Sequence, residues 1–434
     1  MSASTERKNR QLARNEGTDK KTVAARKEAE KKRKDKIKWI VIGIAVVIFF
    51  ALVIYLNTGA FYRNLNALTV ENTANEEYSI EASSTDYSVA EVNYMYSMQY
   101  MNILNSYGQY ASYLGLDTSK PLDEQVCSVA QSDDANYTWH DYFLDSAKSQ
   151  LTEMTVFKAY AESQNITLDK EDLATIDNTL DSIAESAKTN GYGSANKFLT
   201  ANYGKGCNTD IVRKIIGLEL LASKVQNTIS DSFEFSASEL TDYYATVKDS
   251  YDTFDYSYYL VEAEATTAED GTTSVSADAA AKAKATAEKI MDAIKGSSFA
   301  KATAAIIGDV ETTTTNEDGE TVTTTGPAAP TEMKDIPGAQ VEEALNKWMV
   351  SADRKAGDTA VIDSENIGSY VVVFTARDNN KHTTEESGDM NYCDYIADSL
   401  LRNEGLSDWH DSVFKGIEDC YTLNVNGAVR YVGR

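Results

Sequence analysis

Hydrophobic positions along this chain fall into three patterns. The first is one unbroken run, Trp39 to Leu56, without a charged residue. A helix needs about 20 apolar residues to cross the hydrocarbon layer, so this run with a flanking residue or two suffices. Trp39 and Tyr55 stand near its ends, where amphipathic rings prefer the headgroup level. The competing reading is a cleaved signal peptide. Against it, the run is longer than an ordinary signal core, and 38 residues, many of them charged, precede it. Residues 39–57 are therefore expected to be a transmembrane helix.

The second pattern is helical. After a tether over 58–84, organised sequence begins at Tyr87 and leads into a helix rich in Tyr and Met through about Tyr113. A second helix opens near Thr138-Trp139 and sets Phe143, Ala147, Leu151, Met154, Phe157 and Ala161 on one face. A third follows Asp169, with Leu173, Ile176, Leu180, Ile183 and Ala187 at helical spacing, and ends at Asn190-Gly191. A short helix through Phe198 and Leu199 stops at Gly204, and a longer one runs from Asn208 to Ile229. Ser236 and Glu239 form a capping box for a helix through Tyr243 and Tyr244. Residues 85–250 read as an all-α module.

The third pattern alternates. Phe254 to Glu262 is aromatic and β-branched, as a strand requires. A helix from Ser276 to Gly296 and a short one from Val341 to Trp348 precede a buried strand, Gly368 to Phe374. These make an α+β domain over 251–380. Within it, the Thr-rich insertion 310–326 is either a β-ribbon turning at Asp318-Gly319 or an unstructured polar insertion. Two helices, Asp389–Arg402 and Ser407–Ile417, and an extended tail close the chain over 381–434. The fold class expected is mainly α with an inserted α+β domain behind one N-terminal transmembrane helix.

Charge orients the anchor. Residues 1–38 hold 14 Lys/Arg against 6 Asp/Glu. Basic flanks stay cytoplasmic, so this tail is expected inside and everything after the anchor outside. Taking the tail's +8 from the whole-chain −26 leaves −34 on the rest. So acidic an exterior is repelled by nucleic-acid phosphates and resists self-association. Cys127, Cys207, Cys393 and Cys420 show no CxxC spacing, which excludes a zinc ribbon or a thioredoxin-type motif. Disulfides are permitted outside the cell but not required, and Cys393 and Cys420 flank two successive helices.

Several segments, in this order, resemble the SurA/PrsA-type extracytoplasmic foldases. Thr138 to Ala147 resembles that family's second-helix opening. Asn202-Tyr-Gly-Lys-Gly206, followed by Val212-Arg213 and Leu221-Ala222, resembles its Tyr-Gly-x-Gly loop and the next helix. Ser238 to Tyr244 is similar to the helix before its isomerase domain. In the α+β part, Tyr258-Tyr-Leu-Val261, Gly296-Ser-Ser-Phe299, Lys355-Ala-Gly-Asp358 and Gly368 to Val372 resemble successive segments of a parvulin-type peptidyl-prolyl isomerase. The resemblance spans roughly 85–420. It implies a bacterial chaperone module carrying a parvulin-like domain and a returning C-terminal helix.

The departures from the family bear on catalysis. Both strand positions that normally carry histidine carry tyrosine here, Tyr258 and Tyr370, and the Thr-rich insertion replaces the stretch that usually supplies a Cys or Asp. Rotating a prolyl bond needs no nucleophile. It needs a dry pocket and oriented hydrogen bonds against the resonance barrier of about 18–20 kcal/mol. Two tyrosine hydroxyls can supply such bonds, or the rings are simply core. With the third partner also replaced, the expected state is a domain without activity, Tyr258 and Tyr370 being the candidates if activity remains. Trp348 and Met349 lie where the family places apolar pocket residues, although a helix-borne Trp is more often core.

No other enzyme motif is present: no GxSxG, HExxH, P-loop or dinucleotide fingerprint. His140, His382 and His410 stand far apart in sequence, and no cofactor or metal is called for. What remains is binding. Tyr94, Met98 and Met101, within the stripe Tyr94 to Met101, offer adaptable apolar contacts for unfolded or newly secreted chains, or form the module's own core. The function expected is a membrane-anchored chaperone. The alternatives are an active isomerase and an envelope scaffold with one fixed partner.

Overall fold

The structure, a computed structural model, describes residues 3–15, 20–130, 132–267, 273–315, 321–365 and 367–434. From the N-terminus the elements are α1 (Ala3–Asn15), α2 (Lys20–Asn57), α3 (Ala60–Asn64), β1 (Asn66–Asn72), β2 (Ser83–Ser88) and α4 (Val89–Tyr107). Then come α5 (Trp139–Ser163), α6 (Lys170–Thr189), α7 (Ala195–Tyr203), α8 (Thr209–Asp231) and α9 (Ala237–Tyr251). The strand-rich part holds β3 (Thr253–Glu262), β4 (Ala265–Thr267), β5 (Thr273–Val275), α10 (Ala277–Ile294), α11 (Phe299–Ile307), β6 (Asp309–Thr315) and β7 (Thr321–Pro327). It continues with β8 (Thr331–Pro337), α12 (Glu343–Met349), β9 (Thr359–Ser364) and β10 (Gly368–Asp378). The chain closes with α13 (Tyr392–Trp409), α14 (Lys415–Glu418) and β11 (Tyr421–Val425). Two compact units result: Met1–Ile229 with Asp408–Arg434, and Ser230–Ser407.

In the first unit, local chemistry starts the helices where the sequence marks them. Ser88 with Glu91 caps α4, Thr138 with Asp141 caps α5, and Asp169 with Asp172 caps α6. In each, the side chains satisfy amides that the first helical turn leaves free. The core gathers Leu68 and Val70 from β1, Tyr87 from β2, Met95 from α4, Trp139, Phe143 and Leu151 from α5, and Ile215 from α8. Each such side chain contributes about 1.5–3 kcal/mol on burial. Tyr87 keeps its hydroxyl satisfied by sharing a 2.8 Å hydrogen bond with Thr155. A second cluster joins Phe157, Tyr160 and Val225 to Phe414 and Ile417.

The tether expected over 58–84 is structured, and the unit is not all-α. β1 pairs antiparallel with β2 and, on its other edge, with β11 from the end of the chain, in the order β11-β1-β2. The extended tail is thus a sheet strand. Its register sets Leu68 opposite Val425 and Val70 opposite Leu423. The reason is burial: Ala67, Leu68 and Val70 need cover, and a strand this short finds it only with partners.

The second unit is the α+β domain, larger than expected at both ends. α9 opens it, capped by Ser236 and Glu239, and α13 closes it. Its sheet is antiparallel in the order β8-β3-β10-β9. The sequence reading missed β8, β9 and α11. One sheet face packs Tyr259, Val261, Val361 and Val371 under α10 and α11. The other packs Phe254, Tyr256, Tyr370, Val372 and Phe374 under α12. The Thr-rich insertion is a ribbon, β6 paired antiparallel with β7 from Asp309↔Pro327 to Thr315↔Thr321, and Asp318-Gly319 lies outside the described residues.

The two expected C-terminal helices are one, because α13 runs through a π turn, His410–Phe414, into α14. Gly405, which separates them in sequence, sits inside the helix. A Cβ there would lie 2.8 Å from the ring of Phe233, so the glycine serves a close approach and not a break. All four cysteines are free thiols, Cys393 and Cys420 included.

Candidate functional site

Two surfaces carry the candidate residues, one in each unit. In the second unit the site is built by alternation on β3 and β10, which places Tyr256, Tyr258 and Tyr370 on the face that α12 covers. Tyr258 and Tyr370 meet edge to face, with centroids 5.6 Å apart and planes at 68°. Tyr256 lies 6.0 Å from Tyr258. Tyr370 is buried at 9 % exposure, Tyr256 is buried too, and Tyr258 is half-buried. Burial pushes the pKa of the Tyr370 hydroxyl up, and the neighbouring Glu342 and Tyr258 add to the rise. Tyr256 shifts the same way for the same first reason.

Glu342 itself is engaged. It caps α12 by accepting from the Leu345 amide at 3.0 Å, and it accepts from the Ser364 hydroxyl at 2.9 Å. Met349 is fully buried in this cluster and presents nothing to a ligand, contrary to its reading as a pocket residue. Trp348 is half-buried; Arg354 stacks 3.8 Å from its ring and donates to its carbonyl. The Lys355–Asp358 motif is a turn, closed by the Lys355 amide donating to Asp358 Oδ2 at 2.9 Å. These neighbours give the tyrosine face the character of packing. It holds tyrosine hydroxyls and apolar rings, with the Glu342 carboxylate beside them already engaged by Leu345 and Ser364.

The histidines occupy separate local clusters. His140 shares a 3.1 Å hydrogen bond with the Tyr96 hydroxyl, His382 stacks on Tyr392, and His410 stacks on Phe414. Among the described residues no group of His, Cys, Asp and Glu is arranged to hold a metal.

In the first unit, α4 changes character along its length. Tyr94, Met95 and Tyr96 are core, so Tyr94 at 6 % exposure is not free for a client, contrary to its reading as a binding residue. Met98 and Tyr100 are partly covered against the same core. From Met101 onward the helix emerges. Met101, Tyr107, Tyr110 and Tyr113 are exposed, Tyr113 at 84 %, and Tyr110 stacks on Tyr113 at 5.9 Å. Gly108 ends α4 with a positive φ of 51° and the chain continues as a 3₁₀ segment, Gly108–Leu114. Ser128 donates to the Leu114 carbonyl at 3.0 Å, which brings exposed Val126 and Val129 alongside. The sequence reading passed over Tyr107, Tyr110 and Tyr113. Their signal was aromatic residues flanking a helix-ending glycine and standing off the core positions Ala111 and Leu116.

No family model matches this chain, and no curated protein matches it. Among solved structures it is similar to a SurA-like chaperone of Campylobacter jejuni at 12 % identity, covering 84 % of this chain and 100 % of that one with a TM-score of 0.24. It is similar to the peptidylprolyl isomerase PrsA of Bacillus anthracis at 12 % identity, covering 60 % and 94 %, with a TM-score of 0.26. PrsA of Bacillus subtilis is similar at 17 % identity, covering 68 % and 91 %, with a TM-score of 0.19. Likeness at these TM-scores assigns no activity, and that has to come from the residues of this chain.

Proposed function

We propose that this chain is a single-pass membrane protein that holds unfolded or newly secreted polypeptides outside the cytoplasm, as a SurA/PrsA-type chaperone whose α+β unit lacks isomerase activity. The observation that carries this is the exposed strip from Met101 through Tyr107, Tyr110 and Tyr113. A soluble domain with so acidic a surface gains nothing in stability from four large apolar side chains in water. Met and Tyr suit clients of varied sequence, because one is flexible and the other tolerates partial exposure.

Topology rests on α2. Its segment Lys31–Asn57 is long and apolar enough to cross a membrane, and Trp39 to Leu56 are exposed throughout. The basic tail before it favours a cytoplasmic N-terminus. The reading of lost catalysis rests on the tyrosine face, where Tyr256, Tyr370 and Met349 pack with the sheet core.

The test uses the full chain in lipid nanodiscs. Aggregation of a chemically unfolded client should be suppressed near stoichiometry, and Tyr107→Ser, Tyr110→Ser and Tyr113→Ser together should remove most of that suppression. Suppression unchanged by the triple variant would end the assignment of this strip. A second reading, an active isomerase, is favoured by one observation, the Tyr258–Tyr370 ring pair beside half-buried Trp348. A protease-coupled proline-peptide assay decides between them, and the expected rate is the uncatalysed one.

A further inference from the structure

We infer that the foot of the first unit, where the chain leaves α2, is a second lipid contact: an aromatic and basic collar that seats on anionic phospholipid headgroups. This rests on the membrane-anchor reading above. Three segments remote in sequence meet there. Phe61 in α3 sets its ring 6.3 Å from Tyr55 in the last turns of the apolar helix, 5.2 Å from Tyr62 and 5.9 Å from Tyr431 at the end of the chain. Lys205 lies over the Tyr62 ring at 5.8 Å and Arg430 over the Tyr431 ring at 5.0 Å. Arg63 donates to the Gly206 carbonyl at 3.1 Å.

The join is tight. Gly59 takes a left-handed φ of 72°, and a Cβ there would lie 2.7 Å from the Gly206 Cα. Only a glycine lets the loop come this close. The Tyr-Gly-x-Gly loop is therefore pinned against the exit of the anchor, and Lys205 is carried with it.

Charge makes the collar distinct. The residues after Lys38 carry a net −34, yet the charged side chains stacked on this aromatic cluster are Lys205 and Arg430, with Arg63 beside them in α3. Lys205 and Arg430 are exposed, and among the described residues neither has a carboxylate partner. Glu91 and Asp210 line the same hollow as Arg63, and Glu91 is held by Lys214 at 2.6 Å. Half-buried rings backed by long cationic side chains match the headgroup layer: the rings favour its depth and the cations its phosphates. The bilayer is the occupant because α2 would deliver it to this face.

The test compares the full chain in nanodiscs of phosphatidylcholine with nanodiscs containing phosphatidylglycerol, reading backbone hydrogen exchange at 61–65, 203–207 and 429–433. Anionic lipid should slow exchange there by roughly fivefold per basic side chain engaged. Salt at about 0.5 M should reverse the slowing. The exposed double variant Lys205→Glu/Arg430→Glu should keep the fold and lose the lipid dependence. Exchange equal in the two lipids, or slowing that survives in the double variant, overturns the collar and leaves the anchor standing. A chain that does not co-elute with the discs overturns the anchor and the collar with it.

Discussion

Tyrosine does opposite work in the two units. On the sheet of the second unit, Tyr256 and Tyr370 lie under α12 among Phe254, Val372 and Met349, and burial raises the pKa of both hydroxyls. At the end of α4 in the first unit, Tyr107, Tyr110 and Tyr113 stand in water. The difference lies in what covers each ring. A strand residue facing a helix is enclosed on all sides by the sheet's own layer. A residue on the outer side of the last helical turn, such as Tyr113, has no element packed over it among the described residues. Abundance of an amphipathic residue says nothing about binding until that cover is known.

The comparison can be broken by substitution. Tyr256→Ala should destabilise the second unit by about 3–5 kcal/mol in denaturant unfolding, the range for emptying a large aromatic site. A value near zero would mean that the sheet face is an open groove and would revive the isomerase reading. Gly405→Ala, which drives a methyl into the Phe233 ring, should cost about 1–3 kcal/mol by the same measurement. Tyr113→Ala should stay within about 0.5 kcal/mol while weakening client holding, separating exposed function from stability.

The smallest effect is a pH dependence in the first unit. Burial lowers the pKa of His140 from its ordinary 6.5. The folded state therefore binds this proton less readily than the unfolded chain, so stability falls as pH drops below about 6.5 and levels off once both states are protonated. Thermal melts across that range should show the decline, and His140→Gln should flatten it. A wild-type curve no steeper than the variant's would place the imidazole in solvent.

Much of the helical layout was legible. The Ser236/Glu239 capping box announced a helix start, and starts near Tyr87, at Thr138 and after Asp169 were legible too, because helix initiation is settled within a few residues of chain; the Ser88/Glu91 and Thr138/Asp141 boxes came only with the structure. The strip on α4 was half legible. Met101 was picked out along with Tyr94, but periodicity does not tell which end of a helix the rest of the unit covers. The strands β8 and β9 have weak sequence signals, because Thr331–Pro337 is mostly polar and Thr359–Ser364 has only the short apolar run Ala360-Val-Ile362, and each becomes a strand by pairing with β3 or β10.

What the sequence by itself determined was local: the apolar run and its basic flank, the helix starts, the alternation of β3 and the continuous buried run of β10. Those depend on neighbours a few residues away. Only the tertiary structure decided that a supposed tether is β1, held between β2 and a strand from the far end of the chain, with Val70 opposite Leu423. It alone decided that Tyr94 is core while Tyr113 is not, and that Phe61, Lys205 and Tyr431 share one face. Pairing and cover are long-range, and their free energy comes from surfaces that meet only once the chain has closed on itself.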